Sequence, residues 1–168
     1  MNLIAFYSRA DENYFDGDMR YVEVGNTERA AELVAKFVDA DTFKIEQKVP
    51  YAADYDTCTE QAQKDLREGA RPELVKMLDN LDAYDEIYLG YPNFWSTMPM
   101  AVYTFLEAYD WTGKTIHPFC THGGSGLSNT EADIRRAARG ATVTTGLAIK
   151  GSAVEGAETM IRSWVNSK

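Results

Sequence analysis

The sequence predicts an α/β protein built on a mainly parallel sheet with helices on both faces. Short apolar runs alternate with helical stripes along the whole chain, which implies right-handed βαβ units. Runs such as residues 3–7 and 86–90 look buried, as strands covered on both faces must be. At 168 residues and 45% apolar, the chain is most economically one domain with a substantial core.

The elements follow in order. Residues 3–7 form a first strand. A polar insertion over 10–24 carries Tyr14, Phe15 and Tyr21, too aromatic for a linker, and is expected to fold as a flap or hairpin beside the first loop. Residues 27–38 place Ala30, Leu33, Val34, Phe37 and Val38 on one face of a helix. A second strand spans 42–46, then 47–71 reads as irregular with a charged, partly helical end. Pro72 is placed to open a helix to about Leu81. Residues 85–90 are the third strand, and 99–109 a helix with Thr97 placed to cap it. Residues 115–121 form the fourth strand. Ser128-Asn129-Thr130-Glu131 is a capping box for a helix to about Arg139. The fifth strand spans 143–149, and Ala157, Met160, Ile161, Trp164 and Val165 mark the closing helix.

Composition excludes several functions. A formal charge of −9 disfavours nucleic acid or anionic lipid as partner. No apolar run approaches the ~18 residues of a membrane span, and the N-terminus lacks the basic segment of a signal peptide. Cys58 and Cys120 show no metal or CxxC spacing, which suits a reduced, cytoplasmic protein without a disulfide. No P-loop lysine, GxGxxG after the first strand, or nucleophile elbow is present; Gly123-Gly124-Ser125-Gly126 is followed by Leu127 where the elbow needs glycine. A receiver domain would need acidic residues where Ser8 and Arg9 stand. His117 and His122 lack ligand spacing with each other; His117 reads as a satisfied core or edge histidine, His122 as a loop residue near a ligand.

Three loops share one sheet edge, where open α/β sheets bind ligands. Ser8 and Arg9 end the first strand, and Gly25, Asn26 and Thr27 open the next helix, forming an anion cradle of free amides and short donors. Tyr91-Pro92-Asn93-Phe94-Trp95-Ser96-Thr97-Met98-Pro99 offers two adjacent aromatics, at least one of which should be exposed to stack on a flat ligand. Thr121-His122-Gly123-Gly124-Ser125-Gly126 lets backbone approach a ligand closely and present amides.

Phe6 to Arg9, Gly25-Asn26-Thr27, Leu89 to Pro99, Thr121 to Gly126 and the Gly146 to Gly151 strand, taken together, resemble the flavodoxin-like FMN-binding proteins along nearly the full chain. The insertion over 10–24 fits a bacterial branch of that family. Short-chain flavodoxins use a contiguous T-x-T-G-x-T phosphate loop, whereas here the insertion separates Ser8 from Gly25. Phe94, Ser96 and Gly123 stand where other members often carry Trp, Gly and Glu. The resemblance implies a three-layer, doubly wound five-stranded sheet of order 2-1-3-4-5 with FMN at the strand 1/3 switch point. Ser8, Arg9, Gly25, Asn26 and Thr27 would hold the phosphate. Pro92, Asn93, Phe94, Trp95, Ser96, Thr97 and Met98 would line the isoalloxazine. Thr121, His122, Gly123, Gly124, Ser125 and Gly126 would meet the pyrimidine end. FMN would carry the chemistry, with no catalytic side chain and no metal, and an acidic site would lower its potential.

Two functions follow from the resemblance: an electron carrier between redox partner proteins, or an FMN-dependent NAD(P)H reductase of quinones or similar small acceptors, as monomer or homodimer. An uncovered second flavin face would favour the reductase. Tyr14, Phe15, Tyr51 or Tyr55 covering that face would favour the carrier.

Overall fold

The computed structural model describes all residues from Met1 to Lys168. Along the chain run β1 (Asn2–Phe6), β2 (Asp11–Phe15), β3 (Asp18–Val22), α1 (Asn26–Ala35), β4 (Ala40–Lys44), α2 (Tyr55–Glu68) and β5 (Glu86–Pro92). Then come α3 (Met100–Glu107), β6 (Thr115–His122), α4 (Thr130–Ala137), β7 (Thr142–Val143), β8 (Leu147–Lys150), a 3-10 turn (Gly151–Gly156) and α5 (Glu158–Asn166).

The main sheet is parallel and ordered β4-β1-β5-β6, with β7 and β8 both on the outer side of β6. Those two short strands are halves of one interrupted fifth strand: Thr142 and Val143 pair with Thr115 and Ile116, and Leu147 to Lys150 pair with Phe119 to His122. The predicted order 2-1-3-4-5 is therefore present. In the interruption Thr144 Oγ1 lies 2.9 Å from His117 Nδ1, while His117 Nε2 lies 2.9 Å from Glu86 Oε1. His117 is buried with both ring nitrogens satisfied.

Alternation along β1 explains the three layers. Leu3 and Ala5 face a core shared with Phe105, Leu106, Trp111 and Ile134, under α3 and α4. Ile4 and Phe6 face the other side, against Ala30 and Val34 of α1 and Ile161, Trp164 and Val165 of α5. Met160, placed in the closing stripe, is instead 45% exposed.

The insertion folds as an antiparallel hairpin, β2 against β3, around Asp16-Gly17. Both turn residues have positive φ (50° and 95°), the Asp-Gly turn that suits tight hairpins.

Two regions depart from expectation. Residues 72–81 form no helix: Lys48 N donates to Glu73 O and Val75 N to Glu46 O, so the segment is extended against the chain leaving β4. Leu74 and Leu81 are still buried, which is why their spacing imitated a helical face. Conversely, the irregular stretch contains α2, fourteen residues long, with Asp54 Oδ2 accepting from Thr57 N (2.9 Å) and Gly69 ending it at φ 61°. Only Cys58 and Ala62 on it are buried, so it lacks the apolar stripe that reveals a helix.

Both predicted caps are used otherwise. Pro99, not Thr97, precedes α3, and Thr97 Oγ1 donates to buried Asp133 (2.7 Å). The box at 128–131 does not close: Asn129 begins α4 without a side-chain cap, and Glu131 Oε2 accepts from Gly146 N at 2.8 Å. No helix is long and apolar enough to cross a membrane.

Candidate functional site

A cavity of about 540 Å³ opens at the C-terminal ends of β1, β5 and β6, lined by all three predicted loops. Arg9, Asn26, Thr27, Pro92, Asn93, Phe94, Trp95, Ser96, Thr121, His122, Gly123 and Ser125 line it. Ser8, Gly25, Thr97, Met98, Gly124 and Gly126 do not. Thr97 and Met98 are buried beneath the loop, where they support it. The wall is completed by residues outside those loops: Asn13 and Tyr14 from the hairpin, Tyr55, Cys58, Thr59 and Ala62 from α2, and Gly151. The aromatic character of the insertion pointed to Tyr14. Of the other aromatics named with it, Tyr55 lines the cavity and Phe15 and Tyr51 do not; nothing local pointed to Cys58, Thr59 and Ala62, because α2 has no apolar stripe.

The first loop makes an uncharged cradle. Ser8 Oγ accepts from Glu28 N (3.0 Å), which fixes the loop on the first turn of α1. The amides of Asn26 and Thr27, as the first two helical residues, have no acceptor within α1. Gly25 is required here, since a Cβ at this position would collide with Ser8 Oγ and the Arg9 carbonyl. Thr27 Oγ1 lies 2.7 Å from Thr121 Oγ1, tying the cradle to β6. A Cβ on Gly151 would come within 2.6 Å of Asn26 Nδ2, so a glycine there makes room for the amide.

Arg9 reaches the cavity wall, but its guanidinium serves the protein. It donates to the carbonyl oxygens of Glu12, of Ala52 (3.0 Å) and of Ala53 (2.7 Å), and its Nε is buried without a partner. Glu12 N donates to Ala53 O (3.1 Å) and Glu12 Oε1 accepts from Tyr55 N (2.9 Å). These contacts join the base of the hairpin to the start of α2. They position Tyr14 and Tyr55, whose ring centroids are 6.3 Å apart.

The second loop is a tight turn held by reciprocal bonds between Phe94 and Thr97 (2.8 and 3.2 Å). Trp95 and Ser96 occupy its centre at φ 56° and 70°, conformations costly for residues with a side chain and concentrated at ligand-binding sites. The two aromatics divide the work. Phe94 packs edge-on against buried Tyr7 (centroids 6.1 Å), whereas Trp95 is 48% exposed and its Nε1 donates to Thr59 O (2.9 Å) on α2. Asn93 links this loop to the next: its Nδ2 donates to Gly126 O and Ser128 Oγ (both 2.9 Å), and its Oδ1 accepts from Ser96 N (3.0 Å).

In the third loop Gly124 N donates to His122 Nδ1 (3.0 Å). Desolvation, and then the cation of Lys150, hold the His122 imidazolium below its ordinary range. Lys150 in turn pairs with Asp16 at the hairpin turn (2.7 Å). A Cβ at Gly123 would lie 3.3 Å from Tyr14, so the hairpin closes directly over this loop. No carboxylate lines the cavity, so the expected acidic site is not found; the negative charge lies elsewhere on the molecule. Both cysteines are free and buried, and burial pushes the Cys120 thiol up to about 12 and raises that of Cys58.

The flavodoxin family model matches residues 19–168. Among solved structures, the fold resembles that of a Bacteroides uniformis protein inferred to be a flavoprotein, with 29% identity, TM-score 0.78, and 98% of this chain and 97% of that one covered. It also resembles a Lactobacillus acidophilus flavoprotein crystallised in complex with FMN: 20% identity, TM-score 0.63, coverage 92% and 96%. Oxidised flavodoxin 2 from Bacillus cereus shares the fold at 19% identity and TM-score 0.52, with 99% of each chain covered. No curated protein sequence matches.

Proposed function

Because the chain belongs to the flavodoxin family, we propose that its cavity holds FMN and that the protein carries electrons between redox partners. FMN, when bound, supplies the redox chemistry; the protein supplies binding, orientation and electrostatics. The residues present fit the group. The cradle of Ser8, Gly25, Asn26 and Thr27 gives a phosphate amides and short donors at a helix N-terminus, in a space that a Cβ on Gly25 would fill. Trp95 offers an exposed ring edge-anchored by its own N–H, and the loop 121–126 offers glycine backbone and His122.

The observation that carries the choice of carrier over reductase is the position of Tyr14. It lies over Gly123 and beside Tyr55, so the insertion brings aromatic cover to the same cavity that Trp95 walls. Such cover excludes water and leaves a nicotinamide little room to stack, while permitting electron transfer across a protein contact.

Anaerobic mixing of the FMN-loaded protein with NADH and with NADPH tests the proposal. Slow bleaching by both, with rapid bleaching by a flavodoxin reductase, is expected. Rapid bleaching by either nucleotide alone would replace the carrier with the NAD(P)H reductase.

A further inference from the structure

His122 has a role that its loop neighbours lack. It is the last residue of β6 and lines the cavity, and its Nδ1 is committed as an acceptor to the Gly124 amide at 3.0 Å. A nitrogen that accepts carries no proton, so the neutral ring must carry its proton on Nε2. Nε2 has no hydrogen-bond partner within the protein, although the residue is only partly exposed. The ring thus has one nitrogen fixed by backbone and a single directed donor left over.

The surroundings keep that donor neutral. Lys150, paired in register with His122 across β6 and β8, faces it from one side. Asp16 of the hairpin binds Lys150 and Tyr14 closes from above, next to Gly123. Asn26 and Thr27 from α1, and Pro92 and Asn93 from the end of β5, add uncharged groups, while Arg9, which also lines the cavity, is a cation turned to the carbonyl oxygens of Glu12, Ala52 and Ala53. Adding a proton to Nδ1 would break the Gly124 bond and place a second cation near Lys150, while no carboxylate lines the cavity to compensate.

We propose that His122 is a neutral hydrogen-bond donor, through Nε2–H, to the pyrimidine edge of bound flavin, and that it favours the reduced, negatively charged cofactor over the oxidised one. This rests on the reading of the cavity as an FMN site. A donor aimed at an oxygen or nitrogen that gains charge on reduction gains strength at that moment, because hydrogen bonds to charged acceptors are about twice as strong as neutral ones. In a wall without carboxylates, this donor adds stabilisation as negative charge develops on the cofactor. It does so without attracting the oxidised cofactor equally.

The chain has only two histidines, and His117 has both nitrogens engaged, so the imidazole region of a long-range ¹H–¹⁵N NMR spectrum separates them readily. The expected spectrum of the ligand-free protein shows His122 as the Nε2–H tautomer. Saturation with FMN should shift Nε2 and slow exchange of its proton, leaving Nδ1 nearly unmoved. His122→Leu should weaken binding of reduced FMN roughly tenfold more than binding of oxidised FMN. His122→Gln, whose side-chain N–H replaces the donor, should recover much of that difference. An Nδ1–H tautomer, an unmoved Nε2 at saturation, or equal losses for both oxidation states would overturn the role of His122 while leaving the FMN site standing. Absence of any saturable FMN binding to the wild-type chain would overturn the FMN reading and this role with it.

Discussion

Replacing Arg9 with Ala separates two jobs that this side chain could do. A cation at the end of the first strand reads as a phosphate ligand, but its guanidinium donates to the carbonyl oxygens of Glu12, Ala52 and Ala53. Each is a charge-assisted bond from a partly exposed side chain, and water can replace part of each when the donor is removed. At about 1 kcal/mol per contact, the substitution should destabilise the protein by about 3 kcal/mol. Arg9→Lys should recover little, because one ammonium cannot span three carbonyls arranged around a planar fork. The decisive assay is a pair of titrations, with FMN and with riboflavin, which lacks the phosphate. If Arg9 holds the hairpin to α2, Arg9→Ala loosens Tyr14 and Tyr55 and weakens both ligands by the same factor. Thr27→Val should instead weaken FMN and leave riboflavin nearly unchanged. A loss of roughly tenfold or more in FMN affinity with riboflavin unaffected, about 1.4 kcal/mol in phosphate binding alone, would refute the bracing role.

Other substitutions probe the same site. Gly25→Ala should cost more than 2 kcal/mol or so in denaturant unfolding and abolish FMN binding, since its Cβ meets Ser8 Oγ and backbone; a stable, FMN-binding variant would contradict the close approach. Trp95→Ala should weaken FMN by roughly 1–2 kcal/mol of lost aromatic contact, and unchanged affinity would place Trp95 outside the ligand contact. Ser96→Gly should relieve the φ of 70° and raise stability by about 0.5 kcal/mol in the same denaturant assay, the unfolded-chain entropy of glycine offsetting part of the gain. Acidification tests His122. Its folded-state value is depressed, so the unfolded chain binds the proton more readily. The stability contributed by the neutral ring is whole above the ordinary value of 6.5 and is lost as pH falls through and below it. Urea unfolding on both sides of that pH should show a smaller acid loss for His122→Gln than for the wild type.

The strands and the three loops at one edge were legible because both rest on local signals, whereas the order of the strands came from the family resemblance. Apolar runs mark strands, and Gly25, Trp95 and the glycines after His122 stand out among ordinary loop residues. The hairpin that brings Asn13 and Tyr14 to the site was legible too, from its aromatics, but α2 was not. Helix α2 buries only Cys58 and Ala62, and its signals were the Asp54 cap and Gly69 stop at its two ends. Residues 72–81 carry a helical spacing, but their backbone is satisfied by pairing with residues 46–48. Thr97 and Glu131 fit cap positions, yet Asp133 and the Gly146 amide, distant in sequence, claim them. Arg9 also has distant partners: of the three carbonyl oxygens that its guanidinium meets, those of Ala52 and Ala53 lie about forty residues away.

Titration of the purified, flavin-free protein with FMN, followed by flavin fluorescence, bears most directly on the cavity as a flavin site. One equivalent should bind saturably, with the emission quenched by the aromatic wall and with FMN bound more tightly than riboflavin through the Gly25-Asn26-Thr27 cradle. Emission that stays that of free FMN at protein excess, or equal affinity for FMN and riboflavin, would contradict the account.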